Sequence, residues 1–147
     1  MENIVCLDDL LQDVNHLRSP RYQVSVYVRE RIHDEFIDFL GGKGINSRYA
    51  PGNVEYRFDK FLAIAAVIYR NTYCAHSYRL ENSDPVVTAM KFMDKGRNDR
   101  VYCREMTSVG GKKVILCEIH NKKSKENRKK EKNIIKKVAG YEFKIHS

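Results

Sequence analysis

Between Asn121 and Ser147 the chain carries ten lysines and arginines against three acids, which accounts for seven of its eight net positive charges. Just upstream stand Arg100, Arg104, Lys113 and His120. A guanidinium fork grips two oxygens at once and stays charged, while clustered lysines neutralise phosphates. A pI near 9.3 puts nucleic acid first among partners, ahead of an acidic protein and an anionic membrane. Two other constellations carry less. Cys117-x-x-His120 and Cys74-x-His76 are zinc-ligand types, but neither spacing matches C-x2–4-C with H-x3–5-H, so no metal is expected. Gly41, Gly42, Lys43 and Gly44 lack the full G-x-x-x-x-G-K-[ST] pattern and follow a helical stripe, so they read as a helix end and turn. No Ser/His/Asp or Cys/His arrangement for covalent catalysis stands out.

These residues need a scaffold, and the bulk numbers allow one. A chain of 147 residues, 42% apolar and 31% charged, is long enough for one domain with its own core. No apolar run reaches the ~20 residues that span a bilayer. The acidic start MENIVCLDDLLQDV lacks the basic opening and cleavage site of a signal peptide. Cys6, Cys74, Cys103 and Cys117 are scattered singly, as reduced thiols are. A cytoplasmic protein without a membrane partner is the expectation.

In chain order, Val5, Leu7, Leu10, Leu11, Val14 and Leu17 predict a short amphipathic helix over 4–17, an N-terminal extension (1–20) to a core over 22–147. Residues 22–28 alternate with period two and predict a strand. Ile32, Phe36, Ile37, Phe39 and Leu40 predict a helix ending at Gly41-Gly42. Asn53 caps a helix over 54–73 whose FLAIAAVIY centre is apolar nearly all round. Ser83-Asp84-Pro85 opens another, carrying Val86, Val87, Met90 and Met93 and stopped by Gly96. Strands over 100–107 and 113–121 follow, joined at Gly110-Gly111. A two-residue turn there sets Arg104 opposite Cys117 and Val101 opposite His120, and a three-residue turn shifts that register. The fold class is α+β, a small antiparallel sheet with a C-terminal hairpin packed against several helices.

The stretch Arg100–Met106, Gly110-Gly111, Val114–Ile119 and Lys122-Lys123-Ser124, then Glu131–Tyr141 with Ile134, Ile135, Val138 and Ala139, resembles the ending of RelE/HigB-like toxins of bacterial type II toxin–antitoxin modules. The match covers about a third of the chain. The strand–helix–helix order over 22–73 is compatible with it.

The resemblance implies a metal-independent mRNA interferase, acting on RNA, often on the ribosome, without a cofactor and neutralised by a cognate antitoxin. Its reaction turns the ribose 2′-OH against the adjacent phosphate, which needs a base, cations on the phosphorane oxygens and an acid for the 5′-oxygen. Arg104 then serves the phosphate, with Arg100 beside it. Lys122 or Lys123, each crowded by cations, acts as base, and His120 acts as acid or base. Lys113, Lys125, Arg128 and Lys129 hold the backbone, and Tyr141 stacks on a base.

Plainer readings stand beside these. The 122–137 run is also a solvated helix face. Arg100 and Arg104 also fit ordinary ion pairs with Glu105 or Glu118, and His120 a half-exposed strand position. The rival functions are a non-catalytic nucleic-acid-binding protein and a ParE-like, gyrase-directed toxin.

Overall fold

The computed structural model describes residues 1–41, 54–94, 97–120 and 128–144. Nine elements follow in order: β1 (Ile4–Cys6), β2 (Gln23–Arg29), α1 (His33–Phe39), α2 (Val54–Tyr69), β3 (Tyr78–Leu80), β4 (Val87–Asp94), β5 (Arg97–Ser108), β6 (Gly111–His120) and α3 (Arg128–Ala139). Short 3-10 turns at Asn15–Leu17 and Glu30–Ile32 complete the set among the described residues. The strands form one six-stranded sheet in the order β1-β2-β6-β5-β4-β3.

The class is α+β, but the sheet is larger than the sequence implies and mixed, because β2 and β6 run parallel. Parallel neighbours need a crossover, here the whole chain between Arg29 and Gly111, and no local pattern announces such a pairing. Alternation then sorts the side chains into two layers. Val24, Val26, Val28, Val114 and Leu116 bury against Phe36, Phe39, Phe61, Ile64 and Ile68 of α1 and α2. Val87, Ala89, Tyr102, Ile115 and Cys117 face the other way and are covered by Ile135 and Val138 of α3 and by Phe143.

Two predicted helices are not helices. Residues 87–94 are a strand whose residues 87 to 90 are all buried. Buried on both faces, such a strand loses its period-two signature and mimics a helical stripe. The Ser83-Asp84-Pro85 signal marks a strand-to-strand turn instead, in which Asp84 Oδ1 accepts from the Val86 N–H at 3.2 Å. Residues 4–17 are the edge strand β1 followed by turns, and of their apolar set only Leu7 and Leu11 are fully taken into the core. Asp8 holds this segment down. Its Oδ1 accepts from the Val26 N–H at 3.0 Å and from the Tyr69 hydroxyl.

Helix α2 stops at Tyr69 rather than 73, closed by Asn71 at φ 58°, a left-handed position that asparagine tolerates. Gly41, at φ 100°, ends α1 as expected. Asn53, Gly42, Lys43, Gly44 and Gly96 lie outside the described residues. At the other end Glu2 pairs with Phe143, the Glu2 N–H donating to Glu142 O at 2.7 Å and the Lys144 N–H to Glu2 O at 2.8 Å.

The thiols divide by this layering. Native-state alkylation is expected to modify Cys74 first, since it is exposed and its pKa is lowered, chiefly by a hydrogen bond with Ser77. Exposed Cys6 follows, its pKa raised mainly by desolvation. Cys103 and Cys117 are buried, and burial pushes Cys117 up to about 12. Both should react only in denaturant, as read by mass spectrometry of alkylated peptides. A native Cys117 as reactive as Cys74 would mean that α3 does not cover the sheet.

Candidate nucleic-acid interface

The β5–β6 register decides which charged side chains meet. Two residues, Val109 and Gly110, join the strands, and from Ser108↔Gly111 the pairing runs through Arg104↔Ile115 to Cys103↔Leu116. The expected Arg104–Cys117 opposition is therefore not found. Beyond it the register shifts, Tyr102 facing Glu118 and Arg100 facing His120, with Cys117 as the extra residue of a β-bulge. Continued without the bulge, the ladder would set Arg100 opposite Ile119 and turn His120 to the α2 side of the sheet. The bulge instead gives Arg100 and His120 one face, the face that carries α3.

Arg100 is the centre of that end. It is 8% exposed, and its Nη1 lies 3.8 Å from Glu81 Oε1 and 3.8 Å from Glu131 Oε1. Glu131 Oε1 also accepts from the Tyr102 hydroxyl at 2.8 Å. The Tyr102 ring stacks on His120 with centroids 6.3 Å apart. Desolvation, then the bond to Glu131, pushes the Tyr102 phenol well above its ordinary pKa, so it donates at any working pH.

A cleft of about 500 Å³ opens here, walled by Arg79 and Glu81 from β3 and its exit, Arg100 from β5, and Arg128, Glu131 and Lys132 from α3. Four cations face two carboxylates. From this cleft the exposed surface of α3 runs on through Lys129, Lys130, Lys136 and Lys137. Ile135 and Val138 are buried beneath it, so the helix is amphipathic with lysine outward. Lys137 is within 3.5 Å of Glu118.

The predicted site residues thus divide. Arg100, His120, Arg128 and Lys129 gather at one end of the sheet and on the first turn of α3. Arg104 does not join them. Its Nη1 donates to the carbonyls of Val138 (3.2 Å), Ala139 (2.8 Å) and Tyr141 (3.1 Å) at the C-terminus of α3, and its guanidinium stands 5.9 Å from the Phe143 ring centre. Tyr141 is engaged as well. Its hydroxyl donates to Glu118, and the Arg29 guanidinium lies 4.5 Å from its ring centre.

Arg29 is 7% exposed and fills that corner, donating to Cys117 O at 3.1 Å, Glu2 Oε1 at 2.9 Å and Glu118 Oε1 at 2.9 Å. Lys113 faces Met106 near the opposite end of β6, about 23 Å along the strand from His120 at ~3.3 Å per residue. Lys122, Lys123 and Lys125 lie outside the described residues.

Four charged residues of the cleft are not among the site residues the sequence singles out: Arg79, Glu81, Glu131 and Lys132. Glu131 had a signal. It precedes the buried Ile135 by four positions, so helical spacing turns it inward while the lysines beside it turn out. Arg79 and Glu81 had none, since three residues of strand carry no period. Among the described residues no group of three His, Cys, Asp or Glu side chains is placed to hold a metal ion, and no helix is long and apolar enough to cross a membrane. Comparison with family models, with curated proteins and with solved structures gives no match.

Proposed function

We propose that this chain binds RNA on the face that carries α3 and cleaves it as RelE/HigB-like toxins do, by metal-independent attack of a ribose 2′-OH on the adjacent phosphate, with a cognate antitoxin to neutralise it. The observation that carries the reading is the bulged register that sets His120 opposite Arg100 beside Glu81 and Glu131. An arginine fork and two carboxylates then border one cationic cleft, with the imidazole of His120 on the strand next to Arg100. In-line transesterification uses such groups: a base for the 2′-OH, a cation on the phosphorane oxygens and an acid for the leaving 5′-oxygen. Arg100 takes the phosphate. Glu131 acts as base, an alternative to the lysine candidates Lys122 and Lys123, which lie outside the described residues. His120 is the acid. The strand–helix–helix order of β2, α1 and α2 is compatible with the resemblance.

The test is RNA cleavage by the purified protein in the presence of a chelator. Products ending in 2′,3′-cyclic phosphate are expected, with Arg100→Gln slowing cleavage about a hundredfold, the scale of losing one oxyanion donor. Metal-dependent cleavage, or none, overturns the proposed chemistry. Growth arrest in cells with intact transcripts would point to the gyrase-directed branch.

A second reading has its own observation. Arg104, the arginine the sequence favours for phosphate, is bound by three helix carbonyls, and Arg100 and His120 are only 8% and 6% exposed. A face of this kind also suits a protein that holds RNA without cutting it. Salt-sensitive binding with no product would favour that reading, each lost phosphate contact lowering the salt slope by about one.

A further inference from the structure

The cleft between β3, β5 and α3 holds two donors with nothing to donate to. Arg100 Nε and Arg79 Nε are both buried without a hydrogen-bond partner, and so is one acceptor of the same cleft, Glu81 Oε1, which a protonated phosphate oxygen would meet. The Arg100 side chain is 10% exposed. Its two carboxylate neighbours, Glu81 and Glu131, both stand off Nη1 at 3.8 Å, so they balance charge without satisfying Nε. A buried guanidinium N–H left unpaired is a costly arrangement in a folded protein, and it calls for a partner. The same cleft is lined by Asn82 and Ser83, whose amide and hydroxyl are neutral donors. Arg128 and Lys132 close it from α3.

Charge narrows the partner further. Four cations and two carboxylates leave the lining with a surplus of two positive charges. A phosphodiester carries one negative charge, whereas a phosphate monoester carries about −1.5 to −2 at neutral pH and presents three free oxygens. A monoester also enters by one end, which suits a cleft bounded by two strands and a helix.

We infer that this cleft is the seat of a terminal phosphate monoester, such as the phosphorylated end of an RNA chain. The arginine N–H groups of positions 79 and 100 and the donors at 82 and 83 take its oxygens, and Arg128 and Lys132 complete the charge balance. The assignment to an RNA end rests on the RNA reading above; the phosphate seat itself does not.

The experiment uses short 2′-O-methyl RNA oligonucleotides of one sequence, which cannot undergo 2′-OH attack, with a 5′-phosphate, a 3′-phosphate or hydroxyls at both ends. One phosphorylated form is expected to bind about tenfold tighter than the hydroxyl form, the scale of one or two charge-assisted hydrogen bonds. Which one it is assigns the source. Inorganic phosphate should compete that gain away, and Arg79→Gln should abolish it while leaving the hydroxyl oligonucleotide bound. Arg79 is more exposed than Arg100, and circular dichroism checks that Arg79→Gln is folded.

If all three oligonucleotides bind alike, the terminal-phosphate seat is overturned and the RNA reading stands. If none binds, yet inorganic phosphate raises the melting temperature of the native protein and not of Arg79→Gln, the RNA reading fails and the seat stands. If neither RNA nor phosphate has an effect, both fall.

Discussion

Replacing Arg104 with alanine is expected to lower the stability of the fold by about 2–4 kcal/mol, the range for removing a part-buried charge-assisted hydrogen-bond donor with several partners. The last carbonyls of a helix have no intrahelical donors, and the helix dipole makes them a partial negative pole. Here the carbonyls of Val138, Ala139 and Tyr141 all turn to Arg104 Nη1. Alanine leaves them without that donor and removes the guanidinium from beside Phe143, which is 4% exposed. The damage should spread, because residues 141–144 continue from that helix end into the pairing with Glu2. Urea denaturation should therefore show a lower midpoint at unchanged slope, and limited proteolysis should cut near 140 before it cuts the sheet. Arg104→Lys keeps the charge and loses the fork, so it should fall between the two.

That result bears on function as well as on stability. An arginine on the first strand of the β5–β6 pair invites a catalytic role, and Arg104→Ala is the substitution that such a reading would make first. Any loss of activity in that variant must be measured at a temperature where it is still folded. If Arg104→Ala is as stable as the parent to within about 0.5 kcal/mol, the level of an ordinary surface change, and yet cuts no RNA, the guanidinium works on phosphate after all. Arg100→Gln is the cleaner probe. Among the described residues its Nη1 stands near the side chains of Glu81 and Glu131 and not near a row of helix carbonyls.

What the sequence shows of this architecture depends on how many faces each element buries. Strand β2 alternates strictly because one side is packed on α2 while Ser25 and Tyr27 remain partly open, and it is legible. Helix α3 is legible for the same reason, with Ile135 and Val138 in and lysines out. Strand β4, packed on both sides, shows no alternation and reads as a helix. Nor does any residue type announce that β2 lies parallel to β6, since that pairing joins segments some ninety residues apart.

The site follows the same logic. The arginines, the histidine and the basic helix are visible as residue types, but their meeting depends on the bulge between Tyr102/Cys103 and Glu118/Leu116. Cys117, the extra residue, is neither glycine nor proline and gives no signal. One residue of register decides whether His120 shares a face with Arg100, and that residue is fixed by packing on both sides of the sheet.

The parallel junction offers the sharpest test of the fold, through Gly111. It opens β6 and is shared by two neighbours, Ser108 on β5 and Gln23 on β2. A Cβ built there would lie 1.9 Å from Gln23 O and 2.8 Å from Gln23 C. Both are backbone atoms, so no side-chain rotation relieves the overlap. The Gln23 N–H meanwhile donates to Gly110 O at 2.9 Å, which holds the start of β2 against this turn.

Gly111→Ala must therefore part β2 from β6 at the end of their pairing, and it is expected to cost about 3–5 kcal/mol, above the usual range for overpacking because backbone has to move. Gly110→Ala is the control. Nothing lies within 4 Å of a Cβ at that position, so its effect should stay within about 0.5 kcal/mol. Equal, small effects of the two substitutions in urea denaturation would mean that β2 does not pair with β6 at Gly111. A large effect of Gly111→Ala alone would place the first strand of the core beside the last. The β6 backbone that carries His120 would then be buttressed on both edges, by β5 along its length and by β2 from Gly111 to Leu116.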